Sequence, residues 1–495
     1  MRIAARLAAI ASRTPSSVIL IPVSLAAGLG LFGLGRESLW LDEAYTWYFV
    51  QMPWSRMLEA VRIVGVHPPA YFLIVKLIIG PLGTGEAALR LPSVAFFLAG
   101  LVFVAFVGRR VGGTAGSLAA AWFWAFHPML LWYARDARPY SLAACLSAFL
   151  LLNFLDLLGT GRRSSALLAA MTMALGLLTH YFFLVFVVAL SLLAASEMRR
   201  APGFFRAWAV SALAGILPFG LWLAWYLYQP NPSLGIGWIR PPLVTDIPAT
   251  IWNLFSGYGG SAAPSATAFG VAASLLALAG VLRPVKDVPL RRLVGIGLIL
   301  PVIGVWLVSQ RRPAYLDRYF IVLVPIAAAA VGRGAAWTWE WIVGRWQRPS
   351  RRALATLGLT SLAFLGLLSA VPIHASSLFI KEDWRGVSEY LRIQGIEASQ
   401  VRLSEPEAAL PLAYYEAGEL EQLIEATGRD CASGCWLVAR QPYTAIHAFS
   451  QVVAEPDRPW RPSDTGRCGL LPVVPSRSGV GLWRAACGEF HQGAP

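Results

Sequence analysis

The chain has 495 residues, of which 57% are hydrophobic and only 14% charged, and its mean hydropathy is +0.58. That composition excludes a soluble globular enzyme and reads as a polytopic membrane protein. The net charge of +14 would suit a nucleic-acid binder, but most of the Arg stands in short clusters between apolar runs. Topology accounts for such clusters, so no nucleic-acid partner is expected.

Arg2, Arg6 and Arg13 precede the first apolar run, 17–35, which places the N-terminus in the cytoplasm; the length of the run and the DE-containing loop after it make it a retained span rather than a cleaved signal. The chain then emerges on the opposite face, in a bacterium the periplasm. From there to Arg90 it never gathers the roughly 20 uninterrupted apolar residues that a crossing needs. Residues 53–63 alternate like a helix lying in the interface, and 68–81 is apolar but short, so the first outer loop is long and membrane-associated. Thereafter the pattern is regular. Spans are expected at 91–108, 115–132, 141–158, 165–180, 181–195, 204–228, 266–282, 293–309, 320–331 and 354–371, with a Trp-rich cytoplasmic interfacial helix at 335–346. The total is about eleven spans, and every double-Arg cluster except Arg311-Arg312 falls on the cytoplasmic side.

Residues 373–495 differ in kind, being polar and mixed in charge, which divides the chain into a transmembrane domain, 1–372, and a C-terminal domain, 373–495, on the periplasmic side. The stretch KEDWRGVSEYLRIQG has helical spacing, and VRLSE, an Ala/Leu/Tyr helix and CWLVAR alternate as a small α/β unit. Cys431, Cys435, Cys468 and Cys487 lie here; an even number of thiols in an oxidising compartment points to two disulfides of open pairing. Cys145 falls inside a span and reads as packing.

Asp42, Glu43, His67, Arg135, Asp136, Arg138, Tyr140, His180, Arg318 and Tyr319 come from five separate parts of the chain, and all reach the outer face on this topology. An ionised carboxylate costs several kcal/mol to bring into hydrocarbon, so acids, bases and imidazoles gathered at one face imply a water-filled cavity for an anionic substrate.

The motifs LWLDEAYT after the first span, HPPAYF later in the same loop, ARDARPYSL after the third span and DRYF before a late span together resemble bacterial GT-C glycosyltransferases. That group uses polyprenyl-phosphate sugars and includes protein O-mannosyltransferases and the aminoarabinose and galacturonic acid transferases of lipid A. The resemblance covers residues 1 to about 372 in order and spacing. It implies an all-α GT-C fold in the bacterial inner membrane, with a polyprenyl-phosphate sugar as donor and a periplasmic lipid A, polysaccharide, lipid or protein as acceptor. Some GT-C enzymes need a divalent cation and others do not, which leaves a metal cofactor undecided.

The resemblance puts a catalytic acid at Asp42. The chemistry agrees, because phosphate is already a competent leaving group and the demanding step is removal of the acceptor hydroxyl's proton. One base without a second nucleophilic carboxylate favours a single displacement with inversion. Glu43 would hold the acceptor, share a metal or cap the interfacial helix. Arg138 and Arg318, with Arg135 third, suit the donor phosphate, since a guanidinium fork matches phosphate oxygens and keeps its proton. Tyr140 and Tyr319 would orient phosphate or sugar, although an aromatic belt explains them as well. Asp136 stands where the group often has Glu, and His67 is aimed by Pro68-Pro69 toward donor or acceptor. His180 sits at a tight outer turn and reads equally as structural. The rival class is a transporter or flippase of lipid-linked sugars, which would place its polar residues near the midplane and show repeats between halves; neither is visible.

Overall fold

The computed structural model describes residues 16–230, 232, 236–237, 239–257, 264–283, 288–344, 361–370, 381–396, 401–403, 409–416, 436–440, 468–474 and 480–487. Among these, six helices are long and apolar enough to cross a membrane: Glu86–Phe126, Tyr140–Thr160, Pro202–Leu227, Pro264–Leu282, Leu290–Ser309 and Asp317–Val343. Five shorter apolar helices accompany them, Ile19–Leu31, Ala70–Ile79, Arg163–Leu177, Phe183–Ser196 and Ser361–Ala370. The protein is a multi-pass, mostly helical membrane protein.

The 41-residue element Glu86–Phe126 is two helices broken at Gly112 (φ −154°, ψ 20°) and Gly113 (φ 60°, ψ −146°). Positive φ at Gly113 is where only glycine is comfortable. In a continuous helix Gly108 and Gly116 would stand about 12 Å apart. Instead a Cβ on Gly108 would lie 2.4 Å from the Gly116 carbonyl oxygen, so the chain doubles back. The expected crossing 91–108 lies in the first arm; the expected crossing 115–132 runs through the second arm, which ends at Phe126, and on into the short helix Pro128–Ala134. Its glycines also admit the helix Val324–Gly344, since a Cβ on Gly332 would stand 2.7 Å from the Gly116 oxygen. Apolar helices in lipid gain by such close backbone approach rather than by hydrophobic expulsion.

One expectation is corrected here. The Trp-rich stretch 335–346 is not a separate interfacial helix; as far as Gly344 it continues the helix Val324–Gly344. Nothing breaks the chain at Arg333-Gly334. Ala335 and Ala336 are buried, and a Cβ on Gly334 would fall 1.7 Å from the Leu276 oxygen, so the stretch is packed against the helix Pro264–Leu282.

Ion pairs and an Arg-to-carbonyl bond mark the end of the bundle away from the helices of the first loop. Arg110 pairs with Asp156, Arg292 with Glu197 at 2.5 Å, and Arg333 donates to the Arg283 carbonyl at 3.2 Å. At the opposite end, the first loop folds as three short helices, Leu41–Gln51, Trp54–Val64 and Ala70–Ile79. The middle one is amphipathic as expected, with Met57 and Val61 buried.

Of the polar C-terminal region, the helix Trp384–Ile393 forms where its spacing indicated, capped by Asp383 accepting from the Gly386 amide at 3.0 Å. Strands β1 (Val401–Leu403), β2 (Trp436–Arg440), β3 (Cys468–Val474) and β4 (Val480–Cys487) make one sheet of order β1-β2-β4-β3, parallel only between β1 and β2. The backbone register sets Cys468 opposite Cys487; Cys431 and Cys435 lie outside the described residues.

Candidate active site

Asp42 and Glu43 occupy the first turn of the helix Leu41–Gln51, where the aligned peptide dipoles favour anions. Adjacent helical residues project about 100° apart, so one pair of acids serves two environments. Glu43 is fully buried, whereas 21% of the Asp42 side chain is exposed.

Glu43 has a closed set of partners. Arg90 donates Nε to Oε1 at 2.7 Å and Nη2 to Oε2 at 2.6 Å, Lys381 Nζ donates to Oε1 at 2.8 Å, and so does the Ala137 amide at 2.9 Å. Burial alone would raise its pKa; Arg90 and Lys381 outweigh burial and hold it well below the usual carboxylate range. Asp136 is equally buried, with Oδ1 accepting from Trp40 Nε1 at 2.8 Å and from Lys381 at 3.3 Å. Burial pushes its carboxyl up to about 6, Lys381 opposing and the neighbouring Glu43 adding to the rise.

Asp42 faces the other way, into a small cleft lined also by Tyr45, Phe49, Val61, His67, Phe72 and Arg138. Two guanidinium groups converge on it: Arg138 Nε lies 4.0 Å and Arg318 Nη1 3.8 Å from Asp42 Oδ2. Arg138 is steadied by donating Nη1 to the Asp42 carbonyl at 2.9 Å. Loop 135–138 is itself pinned, since Thr46 Oγ1 donates to the Ala137 carbonyl at 2.7 Å.

Behind the arginines stands a wall of rings. His67 and His180 are 4.8 Å apart between centroids, His67 meets Tyr140 edge-on at 5.9 Å, and His180 meets Tyr319 at 5.3 Å. Arg318 lies 5.8 Å from the Tyr140 ring and 5.7 Å from that of Tyr319, within cation–π range. Both imidazoles are buried beside Arg138 and Arg318, and burial followed by these positive neighbours holds them neutral, His180 down to about 3. His180 Nδ1 accepts the Phe182 amide at 3.1 Å, which leaves the ring proton on Nε2. That nitrogen and both nitrogens of His67 have no hydrogen-bond partner among the described residues, as buried groups that meet a ligand would.

Asp42, His67, Arg138, Tyr140, His180, Arg318 and Tyr319 are therefore brought together. Arg135 is not among them: its guanidinium turns back to the carbonyls of Phe32 (2.5 Å) and Gly33 (3.3 Å), serving the C-terminal end of the first helix. Arg311 and Arg312 are exposed and take no part.

The sequence reading missed Arg90, Trp40, Lys381, Glu382 and Asp317. Arg90 also donates to the carbonyls of Leu34, Glu37 and Ser38, knitting the whole loop before the DE pair. Asp317 accepts from Thr250 Oγ1 and from Asn253 Nδ2 (2.7 Å), fixing the turn that presents Arg318. The available signal for Lys381 was its rarity: the chain has only three Lys, at 76, 286 and 381, against a large excess of Arg. Among the described residues no group of three or more His, Cys, Asp or Glu could hold a metal ion. With Glu43 saturated and Asp42 faced by two cations, the donor set here does not fit one.

Residues 66–225, under half of the chain, match the family described as dolichyl-phosphate-mannose-protein mannosyltransferase; the segment contains His67, Arg138, Tyr140 and His180. No curated protein matches the sequence. Among solved structures, ArnT from Cupriavidus metallidurans bound to undecaprenyl phosphate is similar at 14% identity and TM-score 0.53, covering 86% of this chain and 94% of that one. The oligosaccharyltransferase of Archaeoglobus fulgidus is similar at 11% identity and TM-score 0.48, over 86% of this chain and 68% of that one. The likeness to ArnT shows that the two chains share a fold.

Proposed function

We propose that the protein is an inverting glycosyltransferase of the bacterial inner membrane that moves a sugar from a polyprenyl-phosphate carrier to a periplasmic acceptor, with Asp42 as general base. The observation that carries this reading is the convergence of Arg138 and Arg318 on the one carboxylate that opens to the cleft, at 4.0 Å and 3.8 Å. Glu43 and Asp136 are sealed from substrate, so Asp42 is the acid left for proton transfer. Two guanidiniums, one carboxylate and two neutral imidazoles sum to a single positive charge. A sugar phosphodiester, carrying one negative charge, balances it.

In the reaction the acceptor hydroxyl attacks the anomeric carbon as Asp42 takes its proton. The bond from that carbon to the phosphate oxygen breaks, and the polyprenyl phosphate departs with the electron pair. Arg138 and Arg318 stabilise the charge that gathers on the leaving oxygen, a task suited to donors already in place. His180 Nε2–H and the His67 nitrogens suit sugar hydroxyls. The apolar walls of the cleft, from Phe49, Val61 and Phe72, suit the lipid end of a substrate, supplying binding energy away from the reacting carbon. ArnT of Cupriavidus metallidurans was solved with undecaprenyl phosphate bound, which supports the carrier class.

The test is to supply native membranes with polyprenyl-phosphate sugar labelled in the sugar. Release of polyprenyl phosphate in step with labelled glycan, absent from Asp42→Asn membranes, is expected. Movement of the intact donor across the bilayer without cleavage would overturn the reading in favour of a flippase.

A further inference from the structure

We infer that Lys381 and Glu382, at the head of the polar C-terminal region, are positioning residues that hold the Asp42 helix and the Arg138 loop in register. Lys381 is fully enclosed and divides its three protons between Glu43 Oε1 (2.8 Å), the Arg135 carbonyl (2.8 Å) and Asp136 Oδ1 (3.3 Å). It thus ties the first turn of the Asp42 helix directly to the backbone of loop 135–138. Glu382 Oε2 accepts the Leu41 amide at 3.2 Å, capping the first amide of the same helix from 341 residues away. Trp384 Nε1 holds that carboxylate at 2.7 Å, and Tyr415 Oη accepts the Leu39 amide at 2.8 Å. These residues, expected in a separate domain, complete the wall behind the catalytic turn.

The charges explain why the tie matters. Glu43 and Asp136 are matched by Arg90 and Lys381, all four buried. Removing Lys381 leaves two carboxylates sharing one guanidinium, and an unmatched buried charge is expensive. Asp136 is the group that yields. It is faced by Lys381, Glu43, Arg138, Arg90 and Tyr71, and burial already favours its neutral form. Without Lys381 the charged form strains the network, and the first turn of the Asp42 helix shifts, moving the Asp42 carboxylate away from the bound acceptor while Arg138 and Arg318 keep the donor phosphate. Protonating Asp136, or replacing it by Asn, cancels the excess.

This inference rests on Asp42 as the base, and the test separates the two. Transfer from labelled polyprenyl-phosphate sugar is measured between pH 5.5 and 7.5 in membranes carrying wild type, Asp42→Asn, Lys381→Met or the double variant Lys381→Met/Asp136→Asn. At pH 7.5 Lys381→Met is expected to lose about 30-fold or more in kcat, with KM for the donor changed less than about threefold, because the donor phosphate contacts survive. The double variant recovers at least about fivefold over the single one, a coupling that a packing role would not produce. Lys381→Met also gains activity toward pH 5.5 relative to wild type. A double variant no better than the single, or a single variant at the wild-type rate, overturns the inference while Asp42→Asn remains inactive. Wild-type transfer by Asp42→Asn overturns the reading of the base itself. If Lys381→Met does not accumulate, the double variant decides: accumulation with transfer supports the inference, and absence of either overturns it.

Discussion

Arg90 offers a demanding test of the architecture, because one side chain carries five hydrogen bonds while only 1% exposed. Replacing it by Met keeps the length and apolar stem but removes both bonds to Glu43 and the donors for three loop carbonyls. Breaking a buried ion pair by deleting one partner costs about 3–5 kcal/mol. Each abandoned carbonyl adds roughly 1 kcal/mol, less where water enters. A loss of about 6–8 kcal/mol follows, which for a chain of this size lowers the melting temperature by roughly 6–8 °C. The companion variant Arg90→Met/Glu43→Leu removes the pair together and leaves Lys381 matched to Asp136, so it should be more stable than the single variant. The assay is thermal unfolding of detergent-solubilised protein followed by intrinsic Trp fluorescence, with transfer measured on the same preparations. Arg90→Met melting within about 1 °C of wild type, or a double variant less stable than the single, would refute this account of the loop.

Arg138→Lys and Arg318→Lys, which keep the charge but lose the planar fork, should each lower kcat/KM by about 10- to 100-fold, read from initial rates against donor concentration. The Asp136 carboxyl, pushed up to about 6 in the fold from its usual 3.8, favours the folded state below about pH 4, and that contribution is lost as pH rises through about 6. Asp136→Asn should therefore flatten the melting temperature between pH 4.5 and 6.5 relative to wild type; parallel profiles would contradict the assignment. At the other end of the bundle, Gly334→Ala must separate the helices Val324–Gly344 and Pro264–Leu282, whose contact leaves 1.7 Å for the new methyl group. It should cut the yield of folded protein or lower its melting temperature by several degrees, without altering donor KM in whatever folds.

Much of the site was legible because membrane physics restricts where ionisable groups can stand. Asp42, Arg138 and Arg318 belong to distant loops, yet a count of apolar runs and Arg clusters sent all three to one face, and there they meet. The division of labour between Asp42 and Glu43 was not legible, since adjacent acids look alike until their neighbours are known. Glu43 is claimed by Arg90 and Lys381, and those partners lie 47 and 338 residues away. Arg135 was misjudged for a similar reason: its motif neighbour Arg138 faces the cleft, while the carbonyls ending the first helix draw Arg135 back. The Trp-rich stretch misled through composition, because Trp and Arg mark an interface in general, whereas Gly332 and Gly334 let this helix continue in close packing. The tail helix Trp384–Ile393 was visible in its spacing and cap, but its leading Lys381-Glu382 pair gave no hint of reaching the first turn of the Asp42 helix.

The most direct test of the central claim separates binding from chemistry in one variant. Purified Asp42→Asn is titrated with polyprenyl phosphate and, in parallel, assayed for single-turnover transfer from the labelled sugar donor. Arg138 and Arg318 remain and a facing negative charge is gone, so binding should equal or exceed that of wild type while transfer falls by at least about 10³-fold. Transfer at the wild-type rate, or binding lost together with transfer, would contradict a base at Asp42 working opposite two phosphate-holding arginines.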